Sequence, residues 1–257
     1  MSAIYPFERK EKILEKLRNE GQITISEDSR RLGISTSTLH RDLEQLEAEG
    51  IVKKVRGGAV LAEASRFETH FDIRMKTRVE EKKEIARVAV HSVNDDSAIF
   101  LDHSSTSVYL AREIRRCQFR NLVILTNSLV IPTELAEKKG VRVMLTGGVV
   151  ENEFKALSGR WVVESLQKLN IHKVFASVGA ISPDRGLMTQ VPFIHEILPE
   201  IFSCGGDVNI LVDSSKFFKI GTFQLAPLSS SLKIFTDKAL PRNLREQVER
   251  LGPRVIS

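Results

Sequence analysis

Between residues 98 and 235 six short apolar runs recur, and each breaks off into small polar residues. Ala98–Leu101 leads into Asp102, His103, Ser104, Ser105, Thr106 and Ser107; residues 122–125 lead into Thr126, Asn127 and Ser128; Val141–Leu145 leads into Thr146, Gly147 and Gly148. Residues 174–178 lead into Gly179, residues 208–212 into Asp213, Ser214, Ser215 and Lys216, and residues 234–235 into Thr236 and Asp237. Short apolar runs without alternation fit strands buried on both faces. Stretches of helical spacing lie between several of them, over residues 108–116, 129–139 and 160–169. Strands alternating with helices predict a mainly parallel sheet covered on both sides.

In such a sheet ligands bind beyond the carboxyl ends of the strands, where these polar loops cluster. The 102–107 loop offers hydroxyl and imidazole groups and, at the start of the next helix, free backbone N–H groups: a cradle for phosphate or carboxylate. Gly147 and Gly148 allow backbone to approach a ligand closely, and Lys216 can neutralise an anion. Ser and Thr also cap helices in any α/β protein. It is the convergence of several such loops that favours a binding site.

Ahead of this large unit, residues 7–58 read as three short helices and a hairpin. Ile13, Leu14 and Leu17 form the first apolar stripe, which stops at Gly21; a second helix starts near Ser26 as N-cap, with Glu27 and Asp28 in its first turn, and ends at Gly33. Ser35 or Thr36 caps a third helix running to about Gly50, with Leu39, Leu43 and Leu46 facing inward. At about 100° per residue, Ser37 and Arg41 then fall on the opposite face, with Thr38 and His40 on the flanks. Two helices joined by a Gly-containing turn suggest helix-turn-helix. Asp42, Glu44, Glu47 and Glu49 make the later half of the third helix acidic, so only its N-terminal half suits a phosphate backbone. Recognition helices dock with that polarity. Lys53, Lys54 and Arg56 ahead of Gly57 and Gly58 form a basic hairpin that fits phosphates as a wing.

The whole chain of 257 residues carries a formal charge of +5, with a pI near 9.2. That admits nucleic acid as a partner without demanding it. Residues 1–65 hold as many acidic as basic side chains, so arrangement and not composition points to DNA there. Two cysteines, Cys117 and Cys204, make neither a disulfide framework nor a four-ligand metal site, and the six histidines lack paired ligand spacing. No apolar run nears the roughly 18 residues needed to span a bilayer. The expectation is a cytoplasmic protein without metal, cofactor or membrane anchor.

Leu39, His40, Arg41, Asp42 and Leu43, then Leu46, Glu47 and Gly50, then Val55, Arg56, Gly57, Gly58 and Ala59 resemble the winged helix-turn-helix of DeoR-family bacterial transcriptional regulators. His40 stands where the family usually has the first of two arginines, and Asp28 where it more often has an apolar residue. Phe71, Arg74, Glu81, Lys82, Ile85 and Ala86 are similar to the family's connector. Asp102 with Ser105, Thr106 and Ser107, the 126–128 triplet, Gly147 and Gly148, Ser158 and Gly159, Gly179, residues 186–189, the Asp213 to Phe217 motif, and Thr236 with Asp237 resemble its C-terminal sensor domain. His103 and Ser104 replace a small residue and glycine. Between Gln190 and Glu200 the family's acidic residue and Lys are missing at the expected spacing, with His195 and Glu196 as substitutes.

The resemblance implies a winged helix-turn-helix over residues 1–60, a linker and connecting helix over 61–96, and an effector-sensing and oligomerising domain over 97–257. The last is Rossmann-like, mainly parallel α/β, and similar to ribose-5-phosphate isomerase and CoA-transferase folds. It implies a transcriptional regulator, by default a repressor of a carbohydrate operon. The expected partners are double-stranded operator DNA, a phosphorylated sugar or related anion, and further copies of the chain as dimer or tetramer. DNA contacts are expected from Ser35, Thr36, Ser37, Thr38, His40, Arg41, Lys53, Lys54 and Arg56, and effector contacts from residues 102–107, 126–128, Gly147, Gly148, Gly179, Asp213 and Lys216. Two alternatives stay open. One is a sugar-phosphate isomerase with Asp102 or Glu196 as general base; the other is a DNA-binding protein without an effector.

Overall fold

A computed structural model describes residues 6–48, 52–61 and 71–257, and the chain divides into two units, Met1–Thr69 and His70–Ser257. The sequence readings at Glu49 and Gly50 and over residues 62–70 lie outside the described residues.

The first unit runs α1 (Pro6–Glu20), β1 (Gln22–Thr24), α2 (Ile25–Leu32), α3 (Thr36–Ala48), β2 (Val52–Val55) and β3 (Gly58–Leu61). Ile13 and Leu17 from α1, Ile23 from β1 and Leu39, Leu43 and Leu46 from α3 meet in its core, all fully or almost fully buried. The apolar stripes read at helical spacing are thus the faces that pack. Thr24, one residue before the helix and not Ser26, is the N-cap of α2: its backbone N–H donates to the Asp28 carboxylate over 2.8 Å. Ser35 caps α3, its Oγ accepting the Thr38 N–H at 3.1 Å.

Two carboxylates sit beneath these helices. Asp28, 1% exposed, lies 2.5 Å from Lys16 Nζ. Asp42 is held bidentately by Arg9, through Nε at 2.5 Å and Nη2 at 2.9 Å. Asp42 therefore does not belong to an acidic outer surface of α3, as its place in the sequence suggested; it ties α3 to α1. Buried pairs of this kind add little net stability over an apolar contact, yet removing one partner strands the other charge.

The three strands pair antiparallel in the order β1-β3-β2. Gly58 starts β3 against Ile23, where an added Cβ would lie 1.8 Å from the Ile23 carbonyl oxygen. Only a glycine lets the wing close on β1.

The second unit begins with α4 (Phe71–Lys76) and α5 (Val79–Ala89), followed by β4 (Ala98–Leu101), α6 (Ser105–Arg116), β5 (Leu122–Thr126), α7 (Ile131–Glu134) and β6 (Val141–Leu145). A hairpin, β7 (Val149–Glu151) and β8 (Ala156–Ser158), precedes α8 (Arg160–Gln167) and β9 (Lys173–Ala176). Then come β10 (Ala180–Ser182), β11 (Gly186–Thr189), α9 (Pro192–Cys204), β12 (Asp207–Leu211), β13 (Phe223–Ala226), β14 (Leu232–Phe235), α10 (Arg242–Glu249) and β15 (Arg254–Ile256). Seven strands form one sheet in the order β15-β14-β12-β9-β4-β5-β6, every pair parallel. All six apolar runs lie in it. A smaller antiparallel sheet, β10-β11-β13, stands apart.

Alternate residues of the large sheet feed two cores. Phe100, Val174, Ala176, Ile210 and Ile234 pack with α8 and α9 on one face; Ile99, Leu101, Ile124, Phe175, Leu211 and Phe235 pack with α5 and α6 on the other. Ile85, Ala86 and Ala89 are fully buried in the second core, so α5 is a core helix of this unit. Lys82 on the same helix is buried too.

Strand order fixes where a site can form. From β4 the chain moves outward through β5 and β6 on one side, then returns to β9 and moves outward through β12, β14 and β15 on the other. The two directions part between β4 and β9, which makes their carboxyl ends the switch point at which open α/β sheets bind ligands.

A Gly58→Ala change tests the fit of the wing. It should destabilise the N-terminal unit by about 3 kcal/mol, the upper end of overpacking costs, in urea unfolding of the full chain; unaltered unfolding would contradict the tight β1–β3 approach.

Candidate functional site

On α3, Ser35, Thr36, Ser37, His40 and Arg41 are exposed and Thr38 is half-buried. The Ser35 hydroxyl bonds those of Ser37 and Thr38 at 2.9 and 2.7 Å, so these three serve partly to start the helix. Arg41 and His40 carry no such duty. The wing is tied to the same helix through Lys54: its Nζ lies 3.2 Å from Glu44 and its N–H donates to Glu47 at 2.9 Å. The acids of the later half of α3 are therefore largely engaged, Asp42 with Arg9 and Glu44 and Glu47 with Lys54. Lys53 and Arg56 remain exposed on the hairpin. Apart from Val55 on the wing, the described side chains left pointing outward at the start of α3 and on the hairpin are cationic or hydrogen-bonding, in a segment of zero net charge.

In the large unit, Asp102 spans the switch point. Its Oδ2 accepts the Ser177 N–H just past β9 at 2.8 Å, and its Oδ1 accepts the Ser104 N–H at 3.1 Å, the Ser104 hydroxyl at 2.6 Å and the Ser107 hydroxyl at 2.5 Å. Ser104 also caps α6, accepting the Ser107 N–H at 3.1 Å. All six residues from Asp102 to Ser107 are buried. Asp102, Ser104 and Ser107 thus spend their bonding capacity on one another and on the sheet. They build the floor of the region.

The next loop is also partly self-satisfied. The Thr126 hydroxyl accepts the Ser128 N–H, and the Ser128 hydroxyl accepts the Val130 and Ile131 N–H groups. Asn127 donates to the Leu157 carbonyl at 2.9 Å and lies 3.4 Å from His103 Nδ1, while its buried Oδ1 has no partner among the described residues. Thr146 Oγ1, past β6, is likewise buried and unpartnered. Gly148, at φ 147°, would place a Cβ 2.5 Å from the Ser158 carbonyl oxygen, and Gly147 backs onto Trp161. Gly148 is thus required by the β7–β8 hairpin itself, whereas a side chain at Gly147 would meet Trp161 at ordinary contact distance. Gly179 lies between β9 and β10, beside the switch point.

Past β12, Asp213 Oδ1 accepts the Ser215 N–H at 3.0 Å and the Ser215 hydroxyl. Lys216 follows in the same turn and is half-buried. His195 and Glu196, the expected stand-ins for the family's acid and Lys, face elsewhere: His195 stacks on Phe223 with centroids 5.0 Å apart and Glu196 is exposed.

Four further side chains reach this region that strand and loop patterns did not reveal. Phe154 and Phe193 pack against the His103 ring at 6.2 and 5.5 Å between centroids. Arg74 of α4 sits 5.3 Å over Phe154, at cation–π distance. Lys82 donates to the Arg74 carbonyl at 2.7 Å and to that of Thr77, closing the end of α4. Burial pushes the Lys82 pKa down to about 8, with repulsion from Lys216 and Arg74 set against attraction from Asp213. Among the described residues no His, Cys, Asp and Glu cluster could hold a metal ion, and no helix is long and apolar enough to cross a membrane.

Burial also pushes the His103 pKa down to about 4, against the pull of Asp102. The unfolded chain, with an ordinary value near 6.5, therefore binds a proton that the folded chain refuses. Stability falls as pH drops from about 6.5 towards 4, by up to about 3 kcal/mol from this residue. A His103→Gln variant should show a shallower loss across that window when melting temperature is followed against pH; parallel curves for the two proteins would refute a buried neutral imidazole.

Residues 9–65 match the family model of a DeoR-like helix-turn-helix domain, and residues 77–238 match that of a DeoR C terminal sensor domain. The HTH-type transcriptional regulator GolR of Listeria innocua is 30% identical over 249 residues, covering 97% of each chain. A putative aga operon transcriptional repressor of Escherichia coli O157:H7 is 26% identical, over 97% of this chain and 93% of its own. An L-fucose operon activator of Haemophilus influenzae is 29% identical, over 94% and 96%. Among solved structures, ribose 5-phosphate isomerase A of Methanocaldococcus jannaschii is a distant likeness, 15% identical over 55% of each chain with a TM-score of 0.39. With a helix-turn-helix model matched ahead of a sensor model, and a relative aligned over nearly its full length, the chain belongs to the DeoR family and is a DNA-binding transcriptional regulator.

Proposed function

We propose that the protein represses a carbohydrate-metabolism operon in the cytoplasm, and that a phosphorylated sugar or related anion bound at the switch point changes its affinity for operator DNA. The observation that carries this reading is the gathering of polar loops at the carboxyl ends of parallel strands around a switch point, with Lys216 on the turn that follows β12. A dimer or tetramer places two α3 helices in successive major grooves of a palindromic or repeated operator, Ser37, His40 and Arg41 towards base edges and Lys53 and Arg56 on phosphates. Relatives are named both as a putative operon repressor and as an operon activator.

The geometry favours a regulator over an isomerase. A general base needs a carboxylate free to take a substrate proton. Both oxygens of Asp102 already accept hydrogen bonds, and Glu196 lies exposed on α9.

Arg41→Ala should cost about 1 to 3 kcal/mol of operator binding and relax sequence preference. Lys53→Ala and Arg56→Ala should instead weaken all duplexes alike and lower the salt slope by about one ion each. Lys54→Ala should do less, because its ammonium is already paired with Glu44. Fluorescence anisotropy on operator and scrambled duplexes over a salt series separates these outcomes, and an Arg41 variant that binds operator as the parent does would sink the recognition role. For the sensor, a thermal-shift screen of phosphorylated and free sugars, read together with DNA binding, should find a stabilising ligand whose effect Lys216→Ala abolishes. A ligand that is turned over would support the isomerase instead.

A further inference from the structure

Arg78 occupies an unusual place. It joins α4 to α5 in the left-handed conformation, φ 49° and ψ 51°, with no side-chain cap on the helix it starts. A non-glycine residue holds that conformation only when its surroundings impose it. Its guanidinium is 3.2 Å from Glu81 and 3.6 Å from Asp213 Oδ1, the second an ion-pair distance too long for a good hydrogen bond. Asp213 Oδ1 is already saturated by Ser215. The contact is a loose one, available for exchange.

The surrounding charge is unbalanced. Arg78 pairs with Asp213, Lys82 and Lys219 each lie within electrostatic reach of both Asp213 and Lys216, and Arg74 adds a further cation beside Lys82; the carboxylates among these described neighbours are Asp213 and Glu81. Lys219 is held below its ordinary pKa by burial first and by repulsion from Lys216. Cations outnumber carboxylates at this corner, which suits a phosphate monoester at about −2. Unlike the buried 102–107 loop, Arg78 is 41% exposed in its side chain and Lys219 is exposed, so a solute can reach both.

The same corner governs α4. Its last carbonyls are held by Lys82, and the Met75 carbonyl accepts the Tyr109 hydroxyl at 3.0 Å. In the chain, α4 is the first described element after the segment that follows the wing.

We propose that the α4–α5 corner is part of the effector site: Arg78 and Lys219 bind the dianionic group of the effector beside Lys216, and Arg78, by exchanging Asp213 for that anion, carries occupancy into α4. This rests on the sensor taking an anionic metabolite, and adds which residues beyond Lys216 hold the charge and how binding leaves the pocket. The exchange is a change of ion-pair partner, with no covalent step.

The test uses the full chain with inorganic phosphate as probe, titrated against chloride at constant ionic strength. Binding is read by melting temperature, and the state of α4 by hydrogen–deuterium exchange of peptides covering Phe71–Lys76. Phosphate should stabilise the parent and alter exchange in α4. Arg78→Ala and Lys219→Ala should bind at least about tenfold more weakly, Arg78→Lys should recover part of the binding, and Arg78→Ala should lose the response in α4. Lys219 is a surface side chain, so its variant remains informative if Arg78→Ala folds poorly. Parent-like binding by Arg78→Ala and Lys219→Ala, with loss only in Lys216→Ala, would overturn this inference and leave the effector reading standing. A parent indifferent to phosphate, or parent-like binding in all three variants, would overturn it as well; if phosphorylated sugars also leave the parent unchanged, the effector reading falls with it.

Discussion

A carboxylate with four hydrogen-bond donors organises the sensor unit. Where β4 and β9 part company, the sheet has a seam that backbone pairing does not close beyond the strand ends. Asp102 closes it, taking a backbone N–H from the β9 side and three donors from the turn that starts α6. A buried carboxylate lacking such donors would cost several kcal/mol, so the turn is compelled to supply them. That fixes the start of α6 and so the place of His103. Within the polar loop that looks like a ligand cradle in the sequence, Asp102, Ser104 and Ser107 therefore serve as scaffold. The proposed recognition of charge lies at its margin, on the turn after β12 and the α4–α5 corner.

The N-terminal unit uses the same device. Asp28 and Asp42 hold α2 and α3 against α1 through Lys16 and Arg9, which removes two acids and two bases from the outer surface. Lys54 then neutralises the later half of α3. A segment of zero net charge can in this way show cations where a phosphate backbone would lie. Counting residues says nothing of this, because the pairs join positions 12 and 33 apart in sequence.

Legibility followed the range of the interactions. Parallel strands buried on both faces must be unbroken apolar runs, so all six runs emerge as strands, and α3 is plain because its three leucines recur at helical spacing. A helix expected over residues 129–139 shrinks to Ile131–Glu134; beyond it Gly140 runs so close to the Phe119 carbonyl oxygen that an added Cβ would lie 1.9 Å from it, a tertiary constraint that local spacing does not display. The minor strands β7, β8 and β10 are three residues long, too short to display a period. Helix α9 is masked by two prolines, although Pro192 sits in its first turn, where a proline costs no hydrogen bond. No local pattern singles out the place of Lys82 and Arg78, because their partners, at Asp213 and along α4, are set by tertiary folding.

A sensor must differ in energy between its free and bound forms, since a ligand shifts an equilibrium only by its differential affinity. A fully balanced pocket offers little difference. Here the balance is incomplete in one place: cations gathered about Asp213 repel each other, Lys82 is buried at the end of α4, and Arg78 holds a strained backbone with a loose ion pair. Both oxygens of Asp102, by contrast, accept hydrogen bonds. A firmly bonded centre at Asp102 and a loosely paired one at Asp213 thus lie at the carboxyl ends of one sheet, and the exchange proposed for the second involves Arg78, which follows α4, the first described element after the wing.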